Sequence, residues 1–134
     1  MVKYLYIFII LVLLISFIYA ENSEKKIIVY YFHGYMRCST CYKMEQYSKE
    51  AIEKNFSKEL AIGKVIFKAV NYEVKENEYY IEKYQLYTKA VIVSFMKGNK
   101  EIKYKNLDKI WDLVSNKDKF IDYITKEVNE YLFE

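Results

Sequence analysis

The 134-residue chain predicts one α/β domain in the order β-α-β-α-β-β-α, behind an N-terminal leader or anchor helix. Three observations predict it. "KKIIVYYFH", Lys25 to His33, is a continuous apolar and β-branched run bounded by charges, the pattern of a strand buried on both faces. Directly after it, apolar residues recur at steps of three and four, the period of an amphipathic helix. Further on, "AVIVSF" and "KEIKYK" flank "MKGNK", the pattern of a hairpin with its turn at Gly98 and Asn99. At this length, with 53% apolar residues, there is material for one real core and not for two.

The elements follow in chain order. "MVKYLYIFIILVLLISFIYA" has one basic residue, Lys3, then an apolar stretch over residues 4–19 and the small Ala20, so residues 1–20 read as a targeting segment. The stretch lies between the core of a signal peptide and the roughly 20 residues of a spanning helix. Ala20 suits the residue before a cut, while Ile18 is large for the position two earlier. The balance favours cleavage, retention as a membrane anchor stays open, and both place the domain outside the cytosol, secreted or anchored. No cysteine follows closely enough for a lipid-anchored form. Residues 21–26 form a short polar linker, and residues 27–134 the domain.

After the first strand, Met44, Tyr47, Ala51, Ile52, Phe56 and Leu60 define the inner face of the first domain helix, with Lys and Glu between them. "GKVIFKAVNYE" reads as the second strand, and a crossover helix between two buried strands implies parallel pairing. "ENEYYIEKYQLY" is a short helix with Tyr80, Ile81 and Tyr84 inward. After the hairpin, "NLDKIWDLV" opens a last helical region, with Trp111 most simply in the core. Asn116 caps "KDKFIDYITKEVNEYLF", where Phe120, Ile121, Ile124, Val128 and Tyr131 share a face.

The chemistry concentrates in "YFHGYMRCSTCYK", which holds the only two cysteines, Cys38 and Cys41, and the only histidine, His33. Covalent haem needs a histidine directly after the second cysteine, where this chain has Tyr42. Structural zinc needs four ligands, and two cysteines with one histidine do not complete that set without a borrowed carboxylate. A bridge across two intervening residues closes a tiny loop and removes little entropy from the unfolded chain, so a purely structural staple is poor. A redox pair fits best. Cys38 falls where a buried strand ends and a helix begins, and the unpaired N–H groups there favour an anion. Lowering a thiol from a pKa of about 8.5 to about 7 raises its thiolate from a few per cent to roughly half at neutral pH, and Arg37 acts in the same direction. Cys41 falls one turn later and deeper. Cys38 is the attacking sulfur and Cys41 the resolving one.

These residues resemble thioredoxin: a buried strand, a Cys-x-x-Cys at a helix start, then strand, helix, hairpin and terminal helix. More narrowly, "YFHGYMRCSTCYKMEQYSKEAIE" and "VNYEVKENEYYIEKYQLYTKA", with the preceding signal-like segment, resemble the nitrophenyl-compound nitroreductase subunit, ArsF family. The resemblance implies the thioredoxin-like fold, the cysteine pair and a role beside reductases or arsenic-handling systems. Two departures stand out. Thioredoxins carry a cis-proline facing the cysteines, whereas this chain has no proline and puts Thr88 or Lys89 at that place. They also bury an acid on the first strand as a proton relay, where this strand reads Tyr30, Tyr31, Phe32, with His33 the nearest titratable group.

Supporting roles are therefore expected for Arg37, His33 and Thr88, the first two against plainer alternatives: a solvated loop charge and a strand-end histidine. Tyr30, Tyr31, Tyr35 and Met36 either rim the sulfurs or pack the core. Net charge is +3, and +2 without Lys3, too little to argue for nucleic acid. With three glycines and no phosphate-cradling loop, no nucleotide cofactor or resident metal is expected. The expected partners are protein disulfide clients or a partner reductase, with membrane anchoring through residues 4–19 if the leader stays. The alternative class is an accessory subunit of an oxidoreductase whose cysteine pair holds a metal or metalloid, since two thiolates chelate soft ions.

Overall fold

Nine residues of unbroken β-forming sequence, Lys25–His33, build the central strand of the domain, β1, with Ile27 through Phe32 all buried. The computed structural model describes the backbone of residues 1–21 and 24–134, and the side chains of residues 1–15 and 24–134. Its elements run α1 (Val2–Glu21), β1, α2 (Ser39–Asn55), α3 (Ser57–Ala61), β2 (Val65–Asn71), a single 3-10 turn (Lys75–Asn77), α4 (Tyr79–Tyr84), β3 (Ala90–Lys97), β4 (Lys100–Asn106), α5 (Ile110–Leu113) and α6 (Lys117–Leu132). The four strands form one sheet in the order β2-β1-β3-β4. β1 pairs with β2 in parallel, from Ile27 opposite Val65 to His33 opposite Asn71, and with β3 antiparallel. β3 and β4 form the hairpin, with Gly98 at φ 60° supplying the left-handed residue of its turn.

Because side chains alternate along a strand, β1 feeds two cores. Ile27, Val29 and Tyr31 pack with Met44, Ala51 and Ile52 of α2 and Phe120, Ile124 and Val128 of α6. Ile28, Tyr30 and Phe32 pack on the other face with Ile92, Tyr84 and Leu86. Asn116 caps α6 by accepting the Lys119 N–H at 3.1 Å.

Several expectations are corrected. The first domain helix is two: the backbone leaves helical geometry at Phe56 (φ −132°, ψ 33°), whose ring is buried, and restarts at Ser57. Ile81 is 37% exposed, because the six-residue α4 turns only Tyr84 and part of Tyr80 inward. Trp111 is 41% exposed: α5 is one turn long and buries Ile110 instead. β1 begins at Lys25 as the strand reading expects, and residues 22 and 23 of the expected linker lie outside the described residues. The leader is helical over Val2–Glu21, while the side chains of Ile18 and Ala20, on which the cleavage expectation rests, lie outside the described residues. Among the described residues, no helix is long and apolar enough to cross a membrane.

Candidate functional site

The loop from Gly34 to Arg37 joins the end of β1 to the start of α2, and the register of β1 decides where it begins. Tyr72 donates its N–H to the His33 carbonyl at 2.9 Å, closing the β1–β2 ladder one step beyond the last strand pair. The Glu73 carboxylate then accepts the Tyr35 N–H at 2.6 Å and lies over Gly34, where an added Cβ would come within 2.7 Å of it. Asn71 Oδ1 holds the Glu73 N–H at 3.0 Å. Glu73 thus ties β2 to the loop that carries the sulfurs. The glycine in "HGY" is the one local signal for this contact.

Cys38 is the N-cap of α2, in extended geometry (φ −98°, ψ 170°), and its Sγ accepts the Cys41 N–H at 3.3 Å. The two Sγ atoms are 2.6 Å apart, both cysteines free, Cys38 exposed and Cys41 buried. The Cys38 thiol is held below its ordinary pKa, first by the hydrogen bond from the Cys41 side chain and then by the Cys41 N–H. Slight burial opposes these, and the N–H groups of Thr40 and Cys38 itself add to them. The Cys41 side chain leads, and the helix start follows: N–H groups without intrahelical partners converge on the sulfur. Cys41 faces the core, where the buried Tyr31 donates its hydroxyl to the Cys41 carbonyl at 2.7 Å. Burial first, and the neighbouring Cys41 second, push the Tyr31 phenol above its ordinary range, so it stays protonated and remains a donor.

Arg37 shares the depression of Cys38 and has partners of its own. Its guanidinium pairs with Glu45 and stacks over the Tyr42 ring, 4.2 Å from its centroid. His33 donates from Nδ1 to the Gly34 carbonyl at 2.9 Å, and its ring lies 6.0 Å from that of Tyr31. Tyr30 and Tyr31 are core residues on opposite faces of β1, whereas Tyr35 and Met36 are exposed beside the sulfur. A shallow depression of about 480 Å³ is lined by Tyr35, Met36, Arg37, Cys38 and Lys89. Thr88 faces a neighbouring depression of about 100 Å³, together with Lys89, Asp108 and Trp111. Lys89 rather than Thr88 therefore shares the cavity of Cys38, and no cis peptide bond occurs among the described residues. Nor do the described residues contain a group of three or more His, Cys, Asp or Glu able to hold a metal ion.

No family model matches the chain, and no curated protein matches it. Solved structures that resemble it include a thioredoxin of Fasciola hepatica, at 21% identity over 84% of this chain and 89% of that one, with a TM-score of 0.43. The germline-specific thioredoxin Deadhead of Drosophila melanogaster is similar at 19% identity, covering 75% and 87% of the two chains, with a TM-score of 0.40. A malarial protein is similar at 15% identity over 67% of this chain and 94% of that one, with a TM-score of 0.41. The functional reading rests on the geometry of Cys38 and Cys41 in this chain.

Proposed function

We propose that the chain is an exported thioredoxin-like thiol-disulfide oxidoreductase. One observation carries the reading: an exposed Cys38, its thiol lowered at the N-terminus of α2, set directly over a buried Cys41. The Cys38 thiolate attacks one sulfur of a client disulfide, forming a mixed disulfide and releasing one client thiolate, which takes up a proton. Cys41 then loses its proton and attacks the Cys38 sulfur, releasing the second client thiolate. The client gains two electrons and two protons, the protein closes its own disulfide, and a dithiol donor resets it. The open depression at Cys38 admits a protein loop, and Tyr35 and Met36 offer apolar contact beside the sulfur.

We extend the reading to a reductase or an arsenic-linked system as the partner, a step that rests on the sequence resemblance of residues 31–53 and 70–90 alone. The apolar leader supports a location outside the cytosol. The test is a redox titration of the full chain against glutathione and dithiothreitol buffers, read by mass after alkylation, with metal analysis of the same sample. The expected result is one reversible two-electron transition without stoichiometric metal, and disulfide-trapped partners from Cys41→Ser but not from Cys38→Ser. A stoichiometric soft metal with no cycling would replace this reading with the accessory-subunit one.

A further inference from the structure

The sheet has two ends, and only one carries the cysteines. At the other end every strand position in turn presents a lysine. Lys64 leads into β2, Lys25 and Lys26 begin β1, Lys97 ends β3 and Lys100 begins β4. The register sets them side by side: Lys25 lies opposite Lys97, and Lys97 opposite Lys100. Like charges directly opposite one another destabilise a sheet. None of the five enters an ion pair among the described residues. Among the described acids at this end, Glu24 is an exposed carboxylate, Glu134 is taken by Lys103, Glu101 is held by Ser94 and Tyr84, and Glu59 pairs with none of the five lysines. Between Lys25, Lys26 and Lys64 lies a cleft of about 60 Å³ floored by Phe95 and Tyr131.

The same end is where the chain arrives from α1. The large apolar side chains of α1 from Val2 to Ile15 are each at least 45% exposed. Lys25 follows Glu21 by four residues, so the chain cannot separate the two by more than about 14 Å. Where α1 is retained, an apolar helix that needs a nonpolar environment is thereby tied to a row of five lysines that enter no ion pair among the described residues. A bilayer with anionic headgroups supplies both.

We propose that this lysine end is a docking surface for an anionic lipid surface, on which the domain stands while α1 engages the bilayer. The nine residues of β1 then hold Cys38 roughly 26 Å from the headgroups, facing away from them towards clients. The proposal goes beyond the redox reading and does not depend on it, because its test measures binding alone.

The test partitions the full chain between buffer and vesicles of phosphatidylcholine, or of an equal mixture of phosphatidylcholine and phosphatidylglycerol. The comparison is with a variant carrying Lys→Gln at 25, 26, 64, 97 and 100, and a charge-matched control carrying Lys→Gln at 43, 75, 109, 119 and 126. Far-UV circular dichroism monitors folding, and Lys→Arg at the same five positions keeps the charge if the glutamine variant fails to fold. Each lysine that reaches an anionic surface strengthens binding by about fivefold, so anionic lipid should raise partitioning of the wild type by at least tenfold. High salt should abolish that gain. The lysine-end variant should lose the gain yet keep its binding to phosphatidylcholine, the control should keep both, and the arginine variant should bind as wild type does. An undiminished gain in the lysine-end variant, an equal loss in the control, or a loss in the folded arginine variant would overturn the proposal.

Discussion

The two faces of the sheet are built from alternate residues of the same strand and do different work. On the first, Ile27, Val29 and Tyr31 meet two long helices, and the packing is dominated by aliphatic side chains with Phe120. On the second, Ile28, Tyr30 and Phe32 meet the short α4 and a group of tyrosines, with Tyr30 and Phe32 stacked at 5.2 Å and Tyr80 and Tyr84 at 5.8 Å. That face also buries polar chemistry: the Glu101 carboxylate accepts from Ser94 and from Tyr84 at 2.6 Å, with Lys83 at 3.3 Å. Buried Ser94 is tolerated because it is paired. The difference teaches where the cysteines draw their geometry. Cys41, Met44 and the Tyr31 hydroxyl all belong to the first face, so the helix that offers its N-terminus to Cys38 is set by that core.

The comparison breaks most visibly by hollowing the first face. Phe120 is fully buried between α2 and α6, with its ring 5.6 Å from that of Tyr47. Phe120→Ala should cost about 3–5 kcal/mol through lost transfer energy and the cavity left behind. The measurement is chemical denaturation of the reduced chain, together with alkylation of Cys41, which should become faster as α2 loosens. A stability loss with Cys41 still protected would show that α2 does not depend on this core.

The second face should respond less, and away from the sulfurs. Tyr84→Phe removes one donor from Glu101 and leaves Ser94 and Lys83 in place. It should cost about 1–3 kcal/mol, the worth of a hydrogen bond to a charged group, and leave Cys38 alkylation unchanged. A changed alkylation rate would mean that the two faces are coupled.

Smaller still in stability, but aimed at the site, is the Glu73 clamp. Glu73→Ala removes the acceptor of the Tyr35 N–H, which is exposed enough for water to replace it, so the cost should be about 1 kcal/mol or less. The loop ahead of Cys38 should loosen, which hydrogen exchange at Tyr35 would report. Gly34→Ala pushes the same carboxylate aside and should reproduce the effect. Unaltered exchange in both variants would assign the loop's order to α2 alone.

What was legible in the sequence follows from the range of the interactions involved. β1, the Gly98–Asn99 turn, the Asn116 cap and the position of Cys38 at a helix start are written in neighbouring residues, and each is found at its expected place. The break at Phe56, the exposure of Ile81 and the half-open Trp111 are not, because the period of a helix does not say how many turns the core will cover. The partners of the site were less legible again. Glu73 reaches the cysteine loop across 38 residues of sequence, and Tyr31 meets Cys41 across ten. Arg37, next to Cys38 in the chain, also pairs with Glu45, one helical turn beyond Cys41, a contact its neighbours do not announce. Lys89 shares the cavity of Cys38 only because the β1–β3 pairing brings the start of β3 beside the end of β1.

The finest test of the comparison is the pH dependence of the reduced protein, because it isolates the thiolate that the first face positions. In the unfolded chain Cys38 meets neither the Cys41 thiol nor a helix N-terminus and titrates as an ordinary thiol, while in the folded protein both lower its pKa. Between the two values the unfolded state holds the proton that the folded state has released, so stability rises with pH across that window. The contribution is fully present above the unfolded value and is lost as pH falls through the folded one. It is a small effect, since Cys38 is exposed and solvent screens it. Denaturation of the reduced wild type should therefore show a slight gain in stability as pH rises through the window, and Cys38→Ser should flatten it. Alkylation of Cys38 should titrate at the same folded value, below that of a free thiol. A Cys38 rate that titrates like a free thiol, or a stability slope that survives Cys38→Ser, would show that Cys41 and the helix start do not hold this sulfur as its thiolate.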